Sequence, residues 1–365
     1  MGDRDAKLST AFGSARQIAA ERALGEFRSA RPVIATSAGG CVVAVPVDGL
    51  DETRWTLFRR LCHPAQPHLV ITAPRARVLG IEAAGPVGIS ISDRVGAGGI
   101  LALVAERRIG TNLVVVQAGP AANAVIELAK LAQRLPALVV ADGAAIRVAS
   151  RDPPLIVVPD NAVAQVREAA ISSTMIAAEA HVPLNGGLRA RFVIFRDAFG
   201  GTSIAVVIGK PDFARPVPVR MHSACLTSDV FESRRCDCGD QLRLTLGRIN
   251  DQGGGIILYL DQEGRGLGLS NMIRAYHLQD AGLDTHEANA MLGFDDDERD
   301  YGIAARMLHM LGCTRVLLLT NNPAKLEGLA QTGIEVSGRL ALQVPVNPDN
   351  GRVANLVGIF WCSPR

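Results

Sequence analysis

Three cysteines fall close together in the sequence: Cys225, then Cys236 and Cys238 in Cys236-Asp237-Cys238-Gly239. Thiolates are soft donors, and three of them near one another suit zinc, which accepts sulfur and prefers four ligands in a tetrahedron. Cysteines as nearly adjacent as Cys236 and Cys238 seldom form an unstrained disulfide with each other. The cysteine total is odd, 7, and the opening Met1-Gly2-Asp3-Arg4-Asp5-Ala6 lacks the apolar stretch of an export signal, so reduced thiols are expected. If water completes the coordination, the site is catalytic. If His222, just before Cys225, completes it, the site is structural.

A second cluster is Gln262-Glu263-Gly264-Arg265-Gly266-Leu267-Gly268-Leu269. Its glycines let backbone approach a ligand closely, Arg265 can fork two hydrogen bonds to phosphate, and Glu263 can bind an amine edge or a hydrated magnesium. It is not a dinucleotide fingerprint, because the position for a third glycine holds Leu269. The run Asp295-Asp296-Asp297-Glu298-Arg299-Asp300 reads either as a solvated face or as a carboxylate and an arginine set for acid-base and phosphoryl chemistry. In Thr320-Asn321-Asn322-Pro323-Ala324-Lys325 a strand meets a helix start, where free amides and Lys325 would welcome phosphate. Together these point to metal-assisted hydrolysis of a nucleoside triphosphate.

The elements that must hold these residues belong to an α/β (α+β) chain. Its 365 residues exceed one ordinary core, which predicts two domains, each a mixed sheet flanked by helices. Residues 113–116 and 137–140 read as strands around a helix over 124–135 that Pro136 stops. Residues 192–196, 204–207, 256–260 and 316–320 read as further strands and 303–311 as a helix before Gly312, with another helix from Ala324. The Pro, Asn and Gly of residues 182–187 suggest a junction, dividing the chain into 1–184 and 185–365. A net charge of +2 excludes a nucleic-acid-binding surface built on bulk charge, and no apolar run approaches a membrane span. A cytoplasmic protein without nucleic-acid or membrane partners is expected.

The motifs resemble GTP cyclohydrolase II. They run in order through Arg220-Met221-His222-Ser223-Ala224-Cys225, Arg235-Cys236-Asp237-Cys238-Gly239-Asp240-Gln241, the 262–269 turn, Ile273-Arg274-Ala275-Tyr276, Asp284-Thr285, Asp297-Glu298-Arg299-Asp300-Tyr301-Gly302 and Thr320-Asn321-Asn322-Pro323. The resemblance implies one Zn2+ per subunit on Cys225, Cys236 and Cys238, and a zinc-bound water that attacks the imidazole carbon of guanine, which leaves as formate. It implies that Tyr276 assists ring opening, that Asp297 accepts a proton, and that Arg299 is the nucleophile towards the α-phosphate. Because arginine stays protonated, the alternative is that Arg299 stabilises charge while Asp297 orients water.

GTP contacts are implied for Arg220, Met221, His222, Ser223, Ala224, Gln241, Glu263, Gly264, Arg265, Thr285, Thr320 and Lys325, with Mg2+ riding on the triphosphate. A homodimer and a role at the first committed step of riboflavin synthesis are implied as well. One departure is Ala224, where the family usually has Glu.

Residues 1–184 resemble a worn dihydroxybutanone phosphate synthase, through Ala30-Arg31-Pro32-Val33-Ile34 and Ala118-Gly119. Ala35-Thr36-Ser37-Ala38-Gly39-Gly40 lacks that enzyme's magnesium carboxylates, and Gly119-Pro120-Ala121-Ala122 lacks its His and Glu, so this part is expected to be inactive. Two alternatives to the cyclohydrolase reading are a ring-opening enzyme that retains the formyl group and a non-catalytic, zinc-stabilised nucleotide sensor. The retained Tyr276 argues against the first, and Tyr276, Asp297, Arg299 and Lys325 together argue against the second.

Overall fold

Short β-branched runs alternating with amphipathic segments produce the expected α/β architecture, with two mixed sheets of seven strands. The computed structural model describes residues 13–106, 113–143 and 154–342; residues 1–6, read for a targeting signal, and Cys362 lie outside them. By contacts the chain divides into two units, Met1–Arg167 with Ser270–Asp297, and Glu168–Leu269 with Glu298–Arg365.

The first unit holds β1 (Val33–Ser37), β2 (Gly40–Pro46), β3 (His68–Ile71), β4 (Val87–Ser90), β5 (Val115–Val116), β6 (Ala137–Asp142) and β7 (Ile156–Pro159), in the order β5-β4-β3-β6-β2-β1-β7. All neighbours are antiparallel except β1 and β7. The helix expected over 124–135 spans Ala122–Leu131, ending early because Gln133 turns to a φ of 57° ahead of Pro136.

The segment Ser270–Asp297 packs within this unit through specific polar contacts. The buried Arg75 donates to the carbonyl of Met291 at 2.9 Å, Thr72 Oγ1 donates to the carbonyl of Gly293 at 2.6 Å, and Arg274 lies 3.6 Å from the buried Asp48. Residues 270–297 carry no compositional break, so nothing local in the sequence marks this exchange.

The second unit holds β8 (Met175–Pro183), β9 (Arg189–Arg196), β10 (Thr202–Gly209), β11 (Val217–Ser223), β12 (Gly254–Leu260), β13 (Arg315–Leu319) and β14 (Glu335–Leu340), in the order β14-β13-β11-β12-β10-β9-β8. The strands β8, β9, β10 and β12 pair antiparallel, whereas β12, β11, β13 and β14 run parallel. Residues 182–187, read from composition as an interdomain junction, are a hairpin turn inside this sheet. Pro183 pairs with Arg189, and Gly186 and Gly187 both adopt a φ of 75° to reverse the chain.

Beneath the sheet lies a core of Val219, Met221, Ile256, Leu258, Val316 and Leu318 against Ala304, Met307 and Leu308 of helix Gly302–Met310. Central parallel strands are covered on both faces, which explains why 256–260 and 316–319 read as unbroken apolar runs.

Candidate metal centre

Three adjacent parallel strands, β13, β11 and β12, end at one edge of the second sheet, the place where open α/β sheets collect ligand-binding loops. Cys225 follows β11, the Gly-rich turn follows β12, and Thr320-Asn321-Asn322 follows β13. The Ala224 N–H continues the ladder to the Leu260 carbonyl at 2.8 Å, so the first cysteine leaves the sheet beside the start of the Gly-rich turn.

Cys225, Cys236 and Cys238 converge. All three are buried, their sulfurs lie within 4.8 Å of one another, and Cys225 Sγ is 3.5 Å from Cys236 Sγ. A tetrahedral zinc with sulfurs about 2.3 Å away separates its ligands by about 3.8 Å, so the triad has the size such an ion needs. Thiols from Cys225 and Cys238 hydrogen-bond to Cys236 and hold it far below the ordinary thiol range, whereas donating to Cys236 pushes Cys225 upward. Three thiols converging in a buried site are the soft donor set that zinc takes up as thiolates, which is the chemical sense in which these residues fit such an ion.

The alternative with His222 as fourth ligand is overturned. Among the described residues the converging donors are the three cysteines alone. The His222 side chain is 2% exposed, its Nε2 faces Asp229 at 3.1 Å, and burial lowers its pKa, so the ring nitrogen that has a partner is engaged by Asp229 and His222 does not join the converging sulfurs.

Glu263 opens the Gly-rich turn with both carboxylate oxygens on the Leu226 N–H, at 3.0 and 3.1 Å. Burial raises it to about 7. Gly264, Arg265 and Gly266 all take left-handed φ, of 60°, 64° and 94°. That reversal turns backbone toward the 298–300 segment: the Glu298 N–H donates to the Arg265 carbonyl at 3.1 Å, and Gln262 Nε2 donates to the Asp300 carbonyl at 2.9 Å. Arg299 is thus flanked on both sides by bonds to the turn, and its guanidinium lies 6.0 Å from the Tyr301 ring centre.

Arg220 on β11 is buried, donating to the Leu319 carbonyl at 3.0 Å and to Gln241, whose Nε2 donates to Asp237 at 2.6 Å. Lys325, also buried, donates to the Met221 carbonyl at 2.9 Å. Thr320 Oγ1 accepts from the Asn322 N–H at 3.0 Å, and Asn322 caps helix Pro323–Ala330. Ser223 and Ala224 are half-buried, and Met221 is buried. Arg220, Met221, His222, Ser223, Ala224, Gln241, Glu263, Gly264, Arg265, Thr320 and Lys325 therefore all lie in the second unit with the cysteines.

Tyr276 and Thr285 are buried in the first unit, Tyr276 on helix Leu269–Asp280 and Thr285 opening helix Thr285–Met291 over an Asp284 capping box. Asp297 is exposed and ends the segment Ser270–Asp297. Sequence reading passed over Asp229, Tyr259 and Gln262. Each acts through a contact remote in sequence or around a loop, for which spacing carries no signature.

A GTP cyclohydrolase II sequence profile matches residues 175–341. The chain is 38% identical over 354 residues to the GTP cyclohydrolase-2 of Xylella fastidiosa, an alignment spanning 93% of this chain and 85% of that protein. It is 38% identical over 349 residues to the GTP cyclohydrolase-2 of Azospirillum brasilense, spanning 91% and 90%. Similarity to the riboflavin biosynthesis protein RibBA of Bacillus mycoides, 54% over 147 residues, covers 40% of this chain and 37% of that one.

Proposed function

The chain belongs to the GTP cyclohydrolase II family, and from that membership we propose that it opens the guanine ring of GTP in a zinc-dependent hydrolysis, releasing the diaminopyrimidine ribosyl phosphate, formate and pyrophosphate as the first committed step of riboflavin synthesis. The observation that carries this reading is the convergence of three buried thiols at the carboxyl edge of the parallel strands, beside the Gly-rich turn.

Cys225, Cys236 and Cys238 would hold the ion, which when bound supplies a water acidic enough to act as hydroxide near neutral pH. Glu263, titrating near neutrality, offers an acceptor to the amine edge of the base. Arg265 and the residues around Thr320 face the phosphates, with the buried charges of Arg220 and Lys325 setting a positive potential at the strand ends. Mg2+ travels with the triphosphate. Arg299, fixed by its bonded neighbours Glu298 and Asp300, stabilises charge at the α-phosphate while Asp297 orients the attacking water. Tyr276 assists proton transfer during ring opening.

The first unit, in this reading, makes no dihydroxybutanone phosphate. Residues 35–40 form the tip of a hairpin without a carboxylate, and a Cβ placed on Gly39 or Gly40 would meet Pro120 at 3.6 Å, so a proline side chain stands where the missing imidazole and carboxylate would be sought. Relatives called GTP cyclohydrolase-2 align across this half too, which supports a structural part in a cyclohydrolase. We further propose a cytoplasmic homodimer; no described helix is long and apolar enough to cross a membrane.

The test is incubation with GTP and Mg2+, quantifying formate and pyrophosphate together. Equal release supports the proposal. Pyrophosphate without formate indicates a formyl-retaining enzyme, and neither product indicates a sensor.

A further inference from the structure

We infer that Asp229 is a positioning residue that fixes Cys225 for the metal, and that Tyr259 and His222 in turn fix Asp229. The inference rests on the metal reading of the cysteine triad.

Cys225 stands just outside β11 at the start of a helix of a single turn, Leu226–Asp229. So short a helix has almost no stability of its own, and the cysteine backbone must be held by something else. Both of its polar groups close on one residue. The Cys225 N–H donates to Asp229 Oδ2 at 3.0 Å, and the Cys225 carbonyl accepts the Asp229 N–H at 2.7 Å.

The carboxylate is itself pinned. Tyr259 Oη donates to Oδ2 at 2.9 Å, and His222 Nε2 lies 3.1 and 3.2 Å from the two oxygens. The His222 and Tyr259 rings stack with centres 5.5 Å apart and an interplanar angle of 20°. These partners come from β11 and β12, whose register sets His222 directly opposite Tyr259. Two paired strands thus present a rigid aromatic pair, the pair aims a carboxylate, and the carboxylate clamps the first sulfur donor. The Asp229 and His222 side chains are 5% and 2% exposed, so water offers no substitute partner.

An ionised carboxylate can accept all three donors, whereas an asparagine of the same shape accepts fewer and turns an N–H toward groups that are themselves donors. Partners that orient metal ligands typically matter by about 10–100-fold in metal affinity. The experiment compares full-length wild type with Asp229→Asn and Tyr259→Phe. Zinc affinity is read by competition with a chromophoric chelator, and the thiolate charge-transfer band is read after cobalt(II) substitution. Asp229→Asn should bind zinc about 10–100-fold more weakly with a shifted cobalt band, and Tyr259→Phe should move both readouts in the same direction by less. If Asp229→Asn does not fold, Tyr259→Phe decides. Folded variants within twofold of wild type in affinity, with an unchanged band, overturn the inference alone. Wild-type protein that takes up no zinc overturns it together with the metal reading.

Discussion

Gly266 and Gly282 share almost the same left-handed φ, 94° and 95°, yet a Cβ on Gly282 meets nothing within 4 Å while one on Gly266 meets the Glu298 carbonyl oxygen at 3.0 Å and its Cβ at 3.2 Å. Alanine at either position pays the left-handed strain of an L-residue, about 1–2 kcal/mol. Only Gly266→Ala must also push the 298–300 segment, by a few tenths of an ångström, to reach an ordinary contact distance. That segment carries Arg299. If about 1 Å of misplacement costs roughly 100-fold in rate, a shift of this size should lower pyrophosphate release by several-fold to tenfold. The assay is steady-state release from GTP for wild type, Gly266→Ala and Gly282→Ala, with urea unfolding alongside. Both variants should lose stability, Gly266→Ala somewhat more, but only Gly266→Ala should lose activity. Equal activity in the two would refute the idea that the Gly-rich turn sets the position of Arg299.

Arg75→Met should destabilise the first unit by about 1–3 kcal/mol, chiefly because the buried Met291 carbonyl would lose its donor, whereas water can reach the part-buried carbonyls of Leu103 and Glu106 that the guanidinium also satisfies at 2.9 Å; urea denaturation measures it. Glu263→Gln should flatten the stability–pH profile of the chelator-treated protein. Burial raises the folded carboxyl to about 7 from 4.5, so the folded chain holds a proton that the unfolded chain has released between those values. The stability from that proton is present below about 4.5 and is lost as pH rises through about 7. Unfolding at pH 5 and pH 8 should therefore show a larger fall for wild type than for Glu263→Gln, and equal falls would refute the assignment.

Local chemistry was the legible part of this sequence. Cys225, Cys236 and Cys238 could be grouped because their ligand atoms are brought together by one loop and one helix start. The runs at 256–260 and 316–319 could be read as strands because their apolar residues are continuous, as those of β12 and β13 must be in strands covered on both faces. Asn322-Pro323 announced its helix because Pro needs no amide partner at a first turn. Contacts made at a distance were not legible. Tyr259 meets Asp229 only through the register of β11 and β12, and residues 270–297 join the first unit through Arg75, Thr72 and Asp48, none of which announces a partner some 220 residues away. The hairpin at 182–187 misled for a physical reason: a tight turn and a flexible linker call on the same Pro, Asn and Gly. His222 misled because proximity in sequence to a metal ligand says nothing of which way an imidazole points, and here Asp229 fixes it.

The most direct test of the account is a zinc titration of metal-stripped protein with GTP and Mg2+ present, following formate against zinc added per chain. Formate release should rise in proportion to zinc, level off at one equivalent, and stay at background throughout for Cys236→Ala. Full formate release from the stripped protein, or a Cys236→Ala protein as active as wild type, would contradict it.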